Sequence, residues 1–304
     1  MKTAFRRING NPSNALKVQK ENTPSFGGVI IFVTLIAHLV VNFFYLDVGP
    51  FWIYSFLTAC TFAVGLLDDI IKFSNSDTVG LKALHKLFLI SFSCLLIFYV
   101  ADPSIIMPKQ YIPLYGWLNI PQSYYAYYLL YFIVVHQATV HAVNLTDGLD
   151  GLATSLTIVT LAGLMFASYY LGTDNFPNTS LMYTLVVAVS VLVTFFYFNK
   201  YPAVIFLGDS GSFLLGSLIS VAFLSTGLGL VLPFFGVIFV LETLSVILQV
   251  LWFKCFGKRI FKCAPIHHHF QFMGCHESKI TFIMILIQLV SVVFFSWIFF
   301  HIYA

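Results

Sequence analysis

Charged residues are scarce in this sequence, because Asp, Glu, Lys and Arg together make up only 9% of its 304 residues. An ordinary soluble domain carries roughly 25%. Apolar residues make up 59% of the chain instead. This composition excludes a soluble globular protein and predicts an integral membrane protein whose main partner is the lipid bilayer. We expect no nucleic-acid partner.

Motifs for a disulfide framework or a zinc ribbon are also missing. The chain contains five cysteines but no Cys-x-x-Cys pair. Cys60 and Cys94 fall inside apolar runs, and the other three lie in or near the basic segment 254–279. Residues 1–26 are too long for a signal peptide and lack a small-residue cleavage site. These absences argue against a small secreted protein.

Long apolar runs take the place of the missing charge. A transmembrane helix needs about 20 apolar residues, and continuous runs of this length do not fit the alternating pattern of an outer-membrane β-barrel. We therefore predict an all-α, polytopic helical bundle, with residues 1–304 forming a single domain. The nine predicted spans are 27–46, 50–67, 84–101, 124–143, 152–171, 180–198, 212–229, 231–253 and 280–303.

The distribution of cations predicts the orientation of these spans. If the spans alternate in direction and Lys86 is counted with its neighbouring segment, fourteen of the 15 Lys and Arg residues share one face. Only Lys109 lies on the other face. Cytoplasmic connections carry the excess of Lys and Arg, so we predict a multi-pass protein in which this face is cytoplasmic and the C-terminus lies outside. Apart from Glu242, the acids and histidines discussed next all fall on the predicted cytoplasmic face.

Two adjacent carboxylates follow the second predicted span, in the stretch GLLDDIIKF (65–73). Asp68 and Asp69 should repel each other unless a cation lies between them, and acids near a helix C-terminus oppose the helix dipole. Lys72 is the nearest cation in sequence. The pair could hold Mg²⁺, or one acid could act as a base. The alternative is an ordinary pair of interfacial charges.

A second polar stretch is VNLTDGLDGLATS (143–155). Asn144, Asp147 and Asp150 recur every three residues, so they would share one face of a helical turn. Gly148 would let another backbone or a ligand approach closely. The alternative is a polar loop in which Asp150 caps the next helix.

Two further stretches complete the set. The stretch NKYPAVIFLGDSGSFLLGS (199–217) predicts a turn feeding a helix, whose exposed N–H groups could cradle a phosphate beside Asp209. The stretch KRIFKCAPIHHHF (258–270) combines three cations with three histidines. The histidines could bind phosphate, while the alternatives are a patch for anionic lipid headgroups or a zinc site. Glu242, inside an apolar run, is expected to face the bundle interior.

Taken together and in this order, these stretches resemble the polyprenyl-phosphate N-acetylhexosamine-1-phosphate transferase superfamily. Within it, the branch that acts on UDP-MurNAc-pentapeptide is the more similar. The stretches that carry the resemblance are TPSFGGVIIF (23–32), GLLDDIIKF (65–73), NLTDGLDGLA (144–153), NKYPAVIFLGDSGS (199–212), ETLSVILQV (242–250) and RIFKCAPIHHHF (259–270).

The resemblance implies a reaction and a set of site residues. It implies transfer of phospho-MurNAc-pentapeptide from UDP to undecaprenyl phosphate, giving lipid I and UMP, with Mg²⁺ as cofactor, and it allows a homodimer. It also implies that the protein resides in the bacterial inner membrane. The implied catalytic residues are Asp68, Asp69, Asp209, Lys72, Lys86 and His268, with Asp209 and Asp147 as metal ligands. The implied substrate-binding residues are Asn144, Asp147, Asp150, Asn199, Phe206, Gln249, His267 and His269.

Two departures from the family pattern and several rival functions accompany this hypothesis. Ser25 and Phe26 stand where the family usually has Thr and Met, and we expect the family's first of ten helices to be absent. The nearest rival is a polyprenyl-phosphate GlcNAc-1-phosphate transferase, against which APIHHHF (264–270) argues. A more distant rival is an anion transporter, although transporters place polar residues near the midplane. A third is an inactive structural homologue.

Overall fold

The protein is an all-α membrane bundle in which long helices coincide with the predicted spans. The computed structural model describes residues 23–45, 51–74, 80–102, 106–113, 115–170 and 179–303. The expectation about the family's first helix concerns the residues before 23, which lie outside this described part. The α-helices are α1 Gly27–Tyr45, α2 Phe51–Ser74, α3 Ala83–Val100, α4 Tyr125–Thr146, α5 Leu152–Tyr170, α6 Thr179–Asn199, α7 Gly208–Ser225, α8 Leu232–Phe235, α9 Val237–Phe256, α10 Ile266–Phe272 and α11 Glu277–Tyr303.

Length and composition alone make 7 helices of the described part suitable for crossing a membrane. They are α3 to α7, α9 and α11, and α1 contributes a shorter apolar helix over Gly27–Val41. Helix α2 is also long, but its last two turns contain the charged residues Asp68, Asp69 and Lys72. These findings confirm the prediction of a polytopic helical membrane protein.

A small β-hairpin, which the sequence did not predict, precedes α4. Strands β1 Gln110–Ile112 and β2 Gly116–Leu118 pair antiparallel, with Tyr111 opposite Trp117. The Tyr111 N–H also donates to the Gly227 carbonyl at 2.9 Å. Helix α4 rises roughly 33 Å along its 22 residues, at 1.5 Å per residue. The hairpin therefore lies at the end of the bundle opposite to Asp147.

Three helix boundaries differ from the predicted spans. Helix α2 continues past residue 67 to Ser74, so the paired acids lie within the helix. Helix α7 begins at Gly208, which places Asp209 in its first turn instead of in a preceding loop. The span predicted at 231–253 is divided by Gly236 into the short α8 and the long α9.

Helix α7 forms the centre of the bundle. Nearly every residue from Ser210 to Leu224 is buried, and the helix packs most extensively against α2 and α4. Glycines allow this close approach, because a Cβ at Gly28 or Gly65 would collide with the α7 backbone near Asp209 and Ser210. Small residues at helix contacts are typical of membrane bundles. The first turn of α7 is therefore fixed by backbone-to-backbone packing.

Candidate active site

Four charged side chains from three helices form one compact group, which we call the acid–lysine cluster: Asp68, Lys72, Lys86 and Asp209. Lys72 Nζ lies 2.7 Å from Asp68 Oδ2 and 3.0 Å from Asp209 Oδ2. Lys86 Nζ lies 3.0 Å and 2.9 Å from the same two oxygens. The two carboxylates are tolerated together because each contacts both ammonium groups.

The two acids of the cluster differ in exposure. The Asp68 side chain is 0% exposed, whereas that of Asp209 is 19% exposed. Asp68 Oδ1 accepts the Leu81 N–H at 2.6 Å, and a Cβ at Gly80 would collide with the Asp68 carboxylate. Asp68 is thus enclosed by the segment before α3, and Asp209 is the acid of the cluster that reaches the surface of the site.

The Asp69 carboxylate is hydrogen-bonded to the first turn of α7. Its Oδ1 accepts the Asp209 N–H at 3.0 Å, and its Oδ2 accepts the Ser210 N–H at 2.8 Å. The first N–H groups of a helix have no partner within the helix and favour an anion. The sequence predicted these N–H groups as a phosphate cradle, but in the structure Asp69 occupies two of them.

A polar cavity of about 240 Å³ opens beside the acid–lysine cluster. It contains five of the predicted substrate-binding residues and the exposed acid of the cluster, so it joins the polar stretches around 144–150 and 199–209. Its lining residues are Asn144, Asp147, Gly148, Leu149, Asp150, Asn199, Phe206, Gly208 and Asp209.

Several of these side chains are held by hydrogen bonds behind the cavity wall. Asn144 Nδ2 donates to Ser212 Oγ at 2.9 Å, which links α4 to α7. Asn199 Oδ1 accepts from Thr154 Oγ1 at 2.8 Å, and its Nδ2 donates to the Ile205 carbonyl at 2.9 Å. These contacts fix the amides in the cavity wall before any ligand arrives.

Asp150 is tied to two other parts of the chain. Its Oδ2 accepts the Ala203 N–H at 3.0 Å, and its own N–H donates to Glu277 Oε1 at 2.6 Å. These two contacts bridge the turn after α4 to the segment before α7 and to α11. Glu277 was not predicted from the sequence. Its position as an acid in the first turn of α11, directly after a basic segment, could have indicated a site residue.

The three predicted histidines and Gln249 do not line the cavity. His267 is fully buried against Glu242, and His268 Nδ1 lies 2.7 Å from Gln271 Oε1. His269 Nδ1 accepts the Lys262 N–H at 3.1 Å. Gln249 Oε1 accepts the N–H groups of residues 260 and 261, so this amide oxygen is also hydrogen-bonded within the protein. None of these four predicted residues lines the polar cavity of the described part.

The oxygen donors of the cavity fit a magnesium ion that also binds a diphosphate. Asp147 and Asp209 contribute carboxylates and Asn144 an amide. Protein Mg²⁺ sites often use one or two carboxylates together with substrate phosphates and water. Within the described residues, no group of three or more His, Cys, Asp or Glu is arranged to hold a metal alone. A substrate phosphate would therefore have to complete the coordination.

The chain is similar to proteins of known family over nearly its whole length. A family model described as glycosyl transferase family 4 matches residues 51–227. A phospho-N-acetylmuramoyl-pentapeptide-transferase of Clostridium perfringens is 39% identical over 284 residues, covering 92% of this chain and 84% of the relative. Proteins of the same name from Clostridium botulinum and Clostridium kluyveri are each 36% identical, covering 92% and 90% of this chain and 82% and 84% of the relatives.

Proposed function

The chain belongs to glycosyl transferase family 4, among the phospho-N-acetylmuramoyl-pentapeptide-transferases, and we propose that it transfers phospho-MurNAc-pentapeptide from UDP to undecaprenyl phosphate. The products are lipid I and UMP. The observation that carries this proposal is the meeting of the acid–lysine cluster with the polar cavity at Asp209. A nucleotide-sugar donor and a lipid acceptor require such a polar site in an otherwise apolar bundle.

The proposed reaction is a phosphoryl-group displacement. A phosphate oxygen of the lipid acceptor forms a bond to the β-phosphorus of the donor, the bond from that phosphorus to the UMP oxygen breaks, and UMP leaves with the electron pair. The acceptor needs little help from a base, because the second pKa of a phosphate monoester is about 6. We therefore propose direct attack by the lipid phosphate.

The contacts of the paired acids support direct attack over a covalent enzyme intermediate. Asp68 is buried under Leu81 and between two lysines, and Asp69 accepts two N–H groups of α7. Neither carboxylate has a free approach to a phosphorus atom. Their role in the proposal is to hold Lys72, Lys86 and Asp209 at the edge of the cavity.

We assign electrostatic roles to the remaining members of the cluster. Lys72 and Lys86 would stabilise the charge that develops on the donor phosphates, since fixed donors in a site with little water are worth several kcal/mol. Asp147 and Asp209 are the proposed ligands of Mg²⁺. When bound, that ion would offset the repulsion between the anionic donor, the anionic acceptor and the carboxylates.

The site faces the cytoplasm in this proposal, because the positive-inside rule assigns the acids and most cations to that side. The donor is a soluble nucleotide and the acceptor phosphate lies at the membrane surface, so both can reach a cavity at the inner end of the bundle. Apolar side chains exposed on α9, such as Leu248, Leu251 and Phe253, provide a surface that suits contact with lipid.

The rival functions make different predictions in one assay. The purified protein in detergent is given UDP-MurNAc-pentapeptide or UDP-GlcNAc, with and without undecaprenyl phosphate, and UMP release is measured. We expect release from the first donor only, in the presence of the acceptor, and its loss on addition of EDTA. Release from UDP-GlcNAc would indicate the GlcNAc-1-phosphate transferase, and uptake into sealed liposomes without UMP release would indicate a transporter.

A further inference from the structure

A buried acid and a buried imidazole meet behind the polar cavity, and the reaction proposed above does not use either. Glu242 lies on α9 and His267 on α10, and both side chains are 0% exposed. His267 Nδ1 lies 3.0 Å from Glu242 Oε2. Ionisable side chains within membrane helices are costly and face a partner in the bundle. Each of these two residues therefore fixes the other.

The second nitrogen of His267 faces the turn that follows α4. In the described part of the chain, His267 Nε2 is buried without a hydrogen-bond partner. A Cβ on Gly148 would collide with this nitrogen, so the imidazole lies directly against the Gly148 backbone. Glycine is the residue that permits so close an approach.

The turn that His267 contacts forms one wall of the cavity. All four of its residues, 147–150, line that cavity. Asp150, at the end of the turn, is hydrogen-bonded to Ala203 and Glu277. Gly148, nearer its start and next to Asp147, has the buried imidazole behind it. The imidazole therefore packs against the backbone of the residue next to Asp147, on a part of the wall that it does not itself line.

We propose that Glu242 and His267 form a positioning pair that sets the place of the 147–150 turn, and with it the Asp147 carboxylate. The proposal rests on the function proposed above, because it takes the cavity as the donor site. It assigns His267 to support of the cavity wall, in place of the direct donor contact that the sequence predicted. Disturbing the pair should weaken donor binding more than it slows the chemical step.

The first test compares two substitutions of Glu242 in the full chain, using calorimetric binding of UDP-MurNAc-pentapeptide without acceptor. Glu242→Leu leaves a buried imidazole without its partner, and we expect the donor Kd to rise about tenfold while kcat falls less than about threefold. Glu242→Gln keeps an oxygen at the position of Oε2, next to the imidazole, and should stay within about threefold of the unaltered protein.

Gln288→Leu provides the matched control. Gln288 is also fully buried, and its Oε1 accepts the Ile238 N–H near the start of α9 at 3.0 Å. Its loss should lower the melting temperature but leave the donor Kd unchanged. If Glu242→Leu and Gln288→Leu change Kd equally, or if Glu242→Leu lowers kcat with Kd unchanged, the positioning role is wrong.

The second test is a double-mutant cycle between Gly148→Ala and His267→Ala. The added methyl group should weaken donor binding about tenfold in the unaltered protein, but less than about threefold once the imidazole is removed. Additive effects would overturn the proposal. The same cycle can be measured in melting temperature, which needs no ligand. It therefore still tests the contact between Gly148 and His267 if the protein binds no donor and the proposed function is wrong.

Discussion

The acid–lysine cluster and the histidine segment at α10 are both dense groups of titratable residues, yet the structure uses them differently. Asp68 and Lys72 stand on α2, Lys86 on α3 and Asp209 on α7, and their charged atoms meet within 3.0 Å. The three histidines are consecutive on one short helix. Their side chains contact Glu242, Gln271 and the Lys262 N–H of the same protein.

The difference follows from the helices that carry the two groups. Long helices packed through glycines bring distant residues to one point, so charges near one end of these helices converge. Consecutive residues on a single helix point about 100° apart, at 3.6 residues per turn, so three adjacent histidines cannot all face one cavity. We therefore propose the acid–lysine cluster as the place where the reaction occurs, and we assign a supporting role to the histidine segment.

The largest effect is expected when one cation of the acid–lysine cluster is removed. Lys86→Met leaves Asp68 and Asp209 with Lys72 alone, and UMP release should fall roughly 10²–10³-fold, as it does when one fixed transition-state donor is lost. Lys82→Met, at an exposed lysine just before α3, is the matched control and should leave the rate nearly unchanged. Similar rates for the two variants would show that the cluster does not act in the reaction.

A second substitution moves the helix that carries Asp209. In Gly65→Ala the new Cβ meets the backbone at Asp209 and Ser210, which cannot move aside as a side chain can. Overpacking costs about 1–3 kcal/mol, and we expect turnover to fall by about tenfold or more. Melting temperature and UMP release are the measurements.

Gly163→Ala is the control for this prediction, because its Cβ meets only the side chains of Val292 and Phe235 in another part of the bundle. It should lower the melting temperature without a comparable loss of turnover. Equal losses of turnover would mean that the first turn of α7 has no special part in the site.

The smallest effect is expected on the histidine side. Gln249 Oε1 accepts the Ile260 and Phe261 N–H groups at 3.1 and 2.9 Å. Its Nε2 also donates to the Phe261 carbonyl at 3.4 Å. Gln249→Leu removes all of these hydrogen bonds, each worth about 1 kcal/mol, and should lower the melting temperature and raise the donor Kd severalfold. Gln249→Glu keeps the accepting oxygen but loses the Nε2–H donor, so it should restore part of both. Donor binding that falls equally in the two variants would instead indicate that the Gln249 amide touches the substrate.

Much of the fold was predictable because the membrane requires long apolar helices. Each predicted span overlaps at least one helix of the described residues. The errors are the break at Gly236 and two helix ends that are set by tertiary contacts. The α7 helix begins at Gly208 because Asp69, from another helix, accepts its first N–H groups. Helix α2 runs on to Ser74 because Lys72 and Lys86 offset the charge of Asp68.

The candidate site was predictable only where spacing and residue type carried the signal. Asn144, Asp147 and Asp209 were singled out by their polar surroundings on one predicted face, and the structure places them around one cavity. The pairing of Glu242 with His267 joins residues 25 positions apart in sequence, and the alternation of polar residues gives no hint of it. The support for Gly148 likewise depends on a contact between two separate elements.

The most direct test of the central idea compares Asp209→Asn with Asp102→Asn for UMP release from UDP-MurNAc-pentapeptide. Asp102 follows the far end of α3, away from the cluster. We predict that Asp209→Asn loses roughly 10²-fold or more of the turnover, while Asp102→Asn keeps it. Equal turnover in both proteins would contradict the account of a transferase site built around Asp209.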